Sequence, residues 1–237
     1  MRGAFQSLEC LCVMNCPKLK GHLPEQLSYL KELIIKDCEQ LVASIPRAVE
    51  IGGVKMEEAY SFDMIGPLVS HTPLKCLRID SCPGMNIPIN HWYSLLEELD
   101  ISKGCDSLTS FPLDLFPKLC SLGLDECHNL HMISQEHLHT DLVSLKINNC
   151  SEFESFPNDG LFAPQLETFY IEGLEKLKTM PKRMSSLLPS LGELTICNCP
   201  RVDLSEGCLP SNLEDMHLSN CSKLVVSLKG AWESTCL

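Results

Sequence analysis

An internal repeat of about 22 residues constrains the fold of this chain more than any other feature of its sequence. Each unit reads Leu-x-x-Leu-x-Ile-x-x-Cys-x-x-Leu, with apolar replacements, and successive units begin 21 to 25 residues apart. Neighbouring units of such a chain stack and bury one continuous core between them. We therefore expect residues 1–237 to form a single domain of about ten repeats, with an irregular turn at residues 47–72. The ten units begin at Leu8, Leu30, Ile51, Leu74, Leu96, Leu119, Leu142, Leu166, Leu191 and Leu213.

The Leu-x-Ile part of each unit alternates with a period of two, which predicts a short strand with one buried face. Because the chain travels round in the same sense in every unit, these strands must be parallel. We expect an α/β, β-rich solenoid with a curved parallel sheet of ten strands on its concave side. On the convex side, prolines such as Pro112 and Pro157 follow an apolar residue and end regular hydrogen bonding, so irregular loops are expected. Short helical turns are predicted at residues 136–141 and 182–188.

Fifteen cysteines occur in the chain, and eight of them recur just after the strand of a repeat. Buried carbonyl and amide groups of the turn need partners there, and a cysteine is small and offers a weak S–H donor. In the fifth repeat the cysteine comes one residue late, while Ala59 and Leu174 replace it in the third and eighth. The expected ladder consists of Cys16, Cys38, Cys82, Cys105, Cys127, Cys150, Cys199 and Cys221.

This regular spacing indicates reduced, structural thiols rather than a disulfide framework. Residues 1–7 lead directly into a repeat without the apolar segment of a signal peptide, and no stretch has the length and apolarity of a membrane helix. The chain has 31 acidic and 19 basic residues, and its net charge of -12 repels nucleic acids and anionic lipids. We expect a cytoplasmic protein that binds neither nucleic acid nor a membrane.

Several histidines near Cys127 raise the question of a zinc site: they are His128, His131, His137 and His139. A closed tetrahedral site needs four converging ligands, and Cys127 belongs to the ladder that points inward. A cysteine–histidine nucleophile lacks an orienting third group. We therefore predict no catalytic residue, metal or cofactor, with a thiol- or zinc-dependent enzyme as the competing interpretation.

The residues between the buried Leu and Ile of each strand should form a column on the concave face. This column is chemically varied whereas the inward positions are monotonous, as expected of a surface that packing does not constrain. It consists of Cys12, Ile34, Lys55, Arg78, Asp100, Gly123, Lys146, Tyr170, Thr195 and His217. The alternative interpretation is a row of solvated strand residues with no binding role.

Ten residues on this face are candidates for binding a protein partner. Arg78, Lys146 and Tyr170 are of types that make directed contacts at interfaces, and Thr195 and His217 extend the column. Lys36, Lys55 and Arg78 suggest a basic neighbourhood, and Glu98, Asp100 and Asp125 an acidic one, so the split could orient a partner. Ordinary surface charge would produce the same composition.

The repeats resemble the C-terminal domain of plant nucleotide-binding, leucine-rich-repeat disease-resistance proteins, in particular of their coiled-coil class. The resemblance covers nearly the whole chain. Segments that carry it include Cys16-Pro17-Lys18-Leu19-Lys20-Gly21, Leu145-Lys146-Ile147-Asn148-Asn149-Cys150 and Leu194-Thr195-Ile196-Cys197-Asn198-Cys199-Pro200.

The resemblance implies the repeat part of a cytoplasmic immune receptor. Its partner would be a pathogen effector, a guarded host protein or the receptor's own nucleotide switch domain. The chain has no Gly-x-x-x-x-Gly-Lys-Ser/Thr loop, so nucleotide binding is not carried over. It would be a fragment or a repeat-only relative. An alternative is the substrate-recruiting domain of an F-box ubiquitin ligase, which also uses cysteine-ended repeats, although the sequence shows no F-box.

Overall fold

A computed structural model describes residues 7–21, 23, 27, 29–41, 69–70, 73–88, 92–204, 209–224 and 228. Within these residues the chain forms thirteen strands, one 3-10 turn and a short α-helix, and residues 222–224 are also helical. The strands are β1 (Cys10–Met14), β2 (Glu32–Lys36), β3 (Val69–Ser70), β4 (Cys76–Asp80), β5 (Trp92–Tyr93), β6 (Glu98–Ser102), β7 (Ser110–Pro112), β8 (Ser121–Asp125), β9 (Met132–Ser134), β10 (Ser144–Asn148), β11 (Thr168–Glu172), β12 (Glu193–Cys197) and β13 (Asp215–Ser219). The 3-10 turn spans Leu113–Leu115, and helix α1 spans Met184–Leu187.

Nine of the strands form one parallel sheet, in the order β1-β2-β4-β6-β8-β10-β11-β12-β13. In each inner strand the Leu and Ile of the repeat face the core, as Leu145 and Ile147 do at full burial. Leucines of adjacent strands lie directly opposite each other, for example Leu33 opposite Leu77. The predicted solenoid with a parallel sheet is thereby confirmed.

In the described part of the chain the main sheet has nine strands, one fewer than the ten expected from the sequence. Strand β2 pairs directly with β4, so that Ile34 lies opposite Arg78 and Lys36 opposite Asp80. This pairing leaves no place between them for the strand expected around Val54. The middle of that irregular repeat, including Lys55, lies outside the described residues.

Short parallel pairings also occur outside the main sheet. Strand β3 pairs with β5, and β7 pairs with β9, while isolated bridges join Met132 to Ser155 and Thr179 to Asp203. Pro112 therefore ends a short strand, opposite Ser134, rather than an irregular loop. The back of the solenoid is more ordered than the prolines predicted.

The two predicted helical turns have different outcomes. Helix α1 lies within residues 182–188, as predicted. The turn predicted at 136–141 is wrong, because the carboxylate of Asp114 in the preceding repeat accepts hydrogen bonds from the backbone N–H groups of Glu136 and His137, at 2.8 and 2.9 Å. The side chain of Gln135 also bonds the backbone of Phe162 at 2.9 Å, in both directions. Contacts between repeats thus replace local helical bonding.

The residue that follows each strand of the main sheet adopts a left-handed conformation, which the sequence analysis did not anticipate. Its N–H donates to the carbonyl of the last strand residue in the next repeat, as Asn149 does to Glu172 at 2.7 Å and Asn198 to Ser219 at 2.8 Å. Asparagine, aspartate and glycine tolerate this conformation best, so their recurrence before the cysteine was the available signal. The residues with this conformation are Asn15, Asp37, Ser81, Lys103, Glu126, Asn149, Gly173, Asn198 and Asn220, with φ between 48° and 64°.

The ladder cysteines lie immediately after this left-handed residue. In several repeats the thiol lies within hydrogen-bond distance of two backbone carbonyl oxygens. The Sγ of Cys150 lies 3.2 Å from the carbonyl oxygen of Asn148 and 3.7 Å from that of Leu124 in the previous repeat. Cys221 makes the equivalent contacts with Ser219 and Ile196, at 3.2 and 3.3 Å. The thiols therefore satisfy carbonyls that the turn removes from water.

Cys105 departs from the expected ladder. Gly104 takes the ladder position in its repeat, and a Cβ there would lie 3.1 Å from the carbonyl oxygen of Cys82. Cys105 follows one residue later with a φ of 57° and is buried. Its sulfur makes no hydrogen bond with the residues that the structure describes, so it packs in the core without a ladder role.

Burial also sets the acidity of these thiols. It raises the pKa of Cys82 and of Cys199 to about 11 and that of Cys105 to about 12. The interaction between the neighbouring thiols of Cys127 and Cys150 raises the pKa of Cys127 and lowers that of Cys150. Both sulfurs of this pair are enclosed, and the other described ladder thiols are free and buried as well, except for Cys16, which is half-buried.

Substituting Cys150 by Glu should destabilise the chain by at least about 3 kcal/mol, because a charge would be buried without a partner. Cys12 is exposed, so Cys12→Glu is the matched control and should change the free energy of unfolding by less than about 0.5 kcal/mol. Lys146→Glu on the outward face should likewise leave the fold intact. Urea denaturation followed by circular dichroism measures all three, and equal losses for Cys150→Glu and Lys146→Glu would contradict the register.

Maleimide labelling of the folded chain should modify Cys12 while Cys38, Cys82 and Cys199 stay protected, with rates at least ~100-fold lower, because buried thiols react only when the structure opens. Peptide mass spectrometry after timed labelling identifies the modified residues, and labelling in concentrated guanidinium chloride provides the fully reactive reference. Rapid labelling of Cys199 in the folded chain would show that its turn is open.

Candidate functional site

The strand pairing aligns the outward residues of neighbouring repeats into columns. Cys12 lies opposite Ile34, Arg78 opposite Asp100, and Asp100 opposite Gly123. The column continues from Gly123 through Lys146, Tyr170 and Thr195 to His217. All of its nine described members are exposed or half-buried. The sequence register thus holds along the described strands, in which Ile34 lies directly opposite Arg78, and Lys55 lies outside the described residues.

Charged residues in the first half of this surface are paired with each other. The Nη2 of Arg78 lies 3.0 Å from Oε2 of Glu98, and its Nε lies 3.5 Å from Oδ2 of Asp100. The Nζ of Lys36 lies 2.7 Å from Oδ2 of Asp80, and this hydrogen bond lowers the pKa of Asp80. Among the described residues, the basic side chains of this surface are therefore paired with acidic ones on the adjacent strand.

Asp125 is the last residue of β8 and lies beside these paired charges. Its Oδ2 accepts a hydrogen bond from the hydroxyl of Ser102 at 3.1 Å. Asp125 is thus bonded to a neutral neighbour rather than to one of the basic residues, and it stays half-buried at the edge of the column.

The second half of the surface is organised around Lys146 and Tyr170. The Nζ of Lys146 lies 5.2 Å from the centroid of the Tyr170 ring, which is within the range of a cation–π contact. The amide oxygen of Asn148, in the orientation that satisfies both of its amide atoms, accepts from the same Nζ at 3.2 Å. Within the described residues Lys146 has no carboxylate partner, unlike Lys36 and Arg78.

Tyr170 also begins a polar network that the sequence analysis missed. Its hydroxyl donates to Oε2 of Glu172 at 2.6 Å, and this bond, with burial, raises the pKa of Tyr170 to about 12. The Nδ2 of Asn198 donates to the other oxygen of Glu172 at 3.2 Å, and Asn220 donates to Asn198 at 2.8 Å. The network fixes the tyrosine ring and links the column to the turns at the edge of the sheet. No local pattern indicated these contacts, because they join three different repeats.

An open cavity of about 340 Å³ lies beside this network at the edge of the sheet. Its lining includes Asn198 and Asn220, together with the ionic side chains of Glu175 and Arg201. The cavity extends the polar surface beyond the column. Thr195 and His217 lie between Tyr170 and the end of the sheet, half-buried and exposed respectively.

Three of the histidines considered for zinc, His131, His137 and His139, have hydrogen-bond or ionic partners of another kind. His139 is buried, its Nε2 lies 2.8 Å from the carbonyl oxygen of Phe116, and its Nδ1 accepts from the N–H of Leu142 at 3.2 Å. Both nitrogens of this ring are therefore occupied. Cys127 points inward to carbonyl oxygens. In the part of the chain that the structure describes, no three metal-binding side chains converge.

Among the described residues, each helix is too short and too polar to cross a bilayer.

Comparison with known proteins finds similarity to several plant disease resistance proteins. The chain matches none of the protein-family models. It is 34% identical over 219 residues to a putative disease resistance protein of Arabidopsis thaliana, covering 86% of the chain and 15% of that protein. It is 30% identical over 165 residues to a putative disease resistance RPP13-like protein of the same plant, covering 65% of the chain and 14% of the relative.

The chain thus spans only about a seventh of the length of these relatives. A further disease resistance protein of the same plant is 28% identical over 200 residues. The parallel solenoid, the cysteine-ended turns and these matches agree with each other. The chain is therefore a leucine-rich-repeat solenoid related to plant disease resistance proteins.

Proposed function

We propose that this solenoid is a non-catalytic recognition module that binds a protein partner through the middle column of its sheet. It would be the repeat part, or a repeat-only relative, of a cytoplasmic plant immune receptor. The partner would be a pathogen effector, a guarded host protein or the switch domain of the receptor itself. The matches to disease resistance proteins favour this role over substrate recruitment by a ubiquitin ligase.

One observation supports the proposal: nine chemically different residues stand in register on one face while the inward positions stay apolar. Packing fixes the inward residues, since a cavity or an overpacked side chain there costs stability. Nothing in the core fixes the outward residues. Binding can therefore select their identity without loss of the fold.

Lys146 and Tyr170 are the strongest candidates for energetic hot spots. Tyrosine is enriched at hot spots, and Tyr170 is held rigid by its bond to Glu172, so little side-chain entropy is lost when it is covered. Lys146 has no carboxylate partner within the described residues. An acceptor from the partner would therefore gain a bond without breaking an existing ion pair.

A yeast-display library of secreted pathogen proteins, screened against the purified chain, tests the proposal. Changing Lys146 to Glu or Tyr170 to Ala should weaken a selected binder at least tenfold, which corresponds to about 1.4 kcal/mol, because both side chains would lose directed contacts. Biolayer interferometry measures the affinity, and thermal melts verify that each variant is folded.

Lys118→Glu is the matched control for the charge change. Lys118 is exposed and pairs with Asp141 at 3.1 Å, away from the concave column. Its substitution should leave the affinity unchanged. Binders that depend on Lys118 but tolerate both concave substitutions would contradict the proposed binding face.

A further inference from the structure

His139 is a buried histidine that takes no part in the proposed function, and it is only 4% exposed. Its Nε2 lies 2.8 Å from the carbonyl oxygen of Phe116, which can only accept, so Nε2 carries the proton. Its Nδ1 accepts the backbone N–H of Leu142 at 3.2 Å. These partners assign one protonation state to the ring, the neutral tautomer with its proton on Nε2.

A second proton on this ring, at Nδ1, is incompatible with these contacts. It would point an N–H of the ring at the N–H of Leu142, which would lose its acceptor inside the fold. It would also bury a positive charge, and no carboxylate of the described residues pairs with the ring of His139. A buried charge without a partner is strongly disfavoured. The charged ring therefore requires the surrounding segment to open.

The charged and titratable side chains of the elements packed around His139 have other partners or face solvent. Asp114 accepts backbone N–H groups at 2.8 and 2.9 Å, Lys118 pairs with Asp141 at 3.1 Å, and the other three are exposed. None of them bonds the His139 ring, so the described residues offer nothing that would compensate a charge on it. The side chains in question are those of Asp114, Lys118, Glu136, His137, Asp141 and Arg183.

The segment that contains His139 is held mainly by side chains. Residues 135–141 contain no helix or strand. Asp114 bonds the backbone N–H groups at positions 136 and 137, and Gln135 bonds the backbone of Phe162 in both directions. The N–H of His139 itself donates to the carbonyl of Phe162 at 2.8 Å. Segments held by so few bonds open locally before the whole fold does, so this segment is the part that a charge on His139 would release.

We propose that His139 is a pH-sensitive latch, and that mild acid releases residues 135–141 from the neighbouring repeats by protonating its Nδ1. In the open form the ring takes up a proton as a free imidazole does, at about pH 6.5. One such proton raises the open population about 25-fold between pH 7 and pH 5. The closed form is thus favoured at neutral pH and is lost as the pH falls. The latch lies outside the main sheet, so this inference is independent of the proposed binding face.

Amide hydrogen exchange of the full ¹⁵N-labelled chain at pH 7 and pH 5 tests the latch, with protection factors corrected for the intrinsic pH dependence of exchange. The bonded amides at positions 136, 137, 139 and 142 should lose protection about 25-fold at pH 5. The amides of strand β10 should change by less than about twofold, because the main sheet stays closed. Unchanged protection of the segment, or an equal loss in β10, would overturn the inference.

Two variants identify the group that takes up the proton. His139→Gln keeps an N–H donor for the carbonyl of Phe116 but cannot be protonated in this range, so protection should change less than about threefold between the two pH values. His137→Gln is the matched control, because the side chain of His137 is 81% exposed, and it should keep the full change. Thermal melts at pH 7 verify that both variants are folded. A full change in His139→Gln would assign the effect to another group and overturn the inference.

The ¹⁵N chemical shifts of the imidazole rings in the wild-type chain give a test that needs no variant. At pH 7 the ring of His139 should show the tautomer with its proton on Nε2. The tautomer with the proton on Nδ1 would overturn the inference, and so would a ring that takes up a second proton while the amides at positions 139 and 142 stay protected. Neither result would affect the proposed function, because binding through Lys146 and Tyr170 uses none of these contacts.

Discussion

The hydrogen bonds that hold the turn after each strand are the interaction on which the rest of this solenoid depends. A residue in the left-handed conformation turns the backbone, and its N–H bonds the next repeat, as Asn149 bonds Glu172 at 2.7 Å. The following thiol then satisfies carbonyls of its own and of the previous repeat. Each repeat of a solenoid contacts only its neighbours, so this local device transmits the register along the whole stack.

A fixed register has a consequence for the outward face. Ion pairs between exposed side chains, such as Arg78 with Glu98, contribute at most about 1 kcal/mol, so the concave surface adds little to stability. Its residues can change while the turns and the apolar core hold the shape. The fold therefore separates residues that specify structure from residues that are free to meet a partner.

Sequence periodicity predicted the sheet because each Leu-x-Ile pair reports directly on one strand. It predicted less where the decisive contact comes from another repeat. Residues 136–141 have a helical pattern, but Asp114 from the preceding repeat takes their backbone donors. In the fifth repeat, Cys105 was assigned to the ladder because it is a cysteine. The constant spacing from the strand residue Ile101 would instead have assigned Gly104 to the ladder position.

The candidate site shows the same division between local pattern and spatial contact. The alternation of side chains along each strand was enough to place Asp100, Lys146 and Tyr170 on one face, because the face of a strand residue depends only on the two-residue period. The pairing of Arg78 with both Glu98 and Asp100, and the network through Glu172 and Asn198, depend on side-chain reach across strands. A list of charges along the chain therefore could not show that Arg78 pairs with both acidic residues of the adjacent strand.

The spacing of the column limits what can be recognised on it. Adjacent strands lie about 4.8 Å apart, so Asp100 and Lys146, which are separated by the strand of Gly123, are offset by roughly 10 Å. An extended segment advances about 3.3 Å per residue, so residues three apart match this offset. A partner segment that runs along the column would therefore meet Asp100 and Lys146 with residues three positions apart. The carboxylate of Asp100 lies over the strand of Gly123, so the partner would meet a carboxylate rather than bare backbone there.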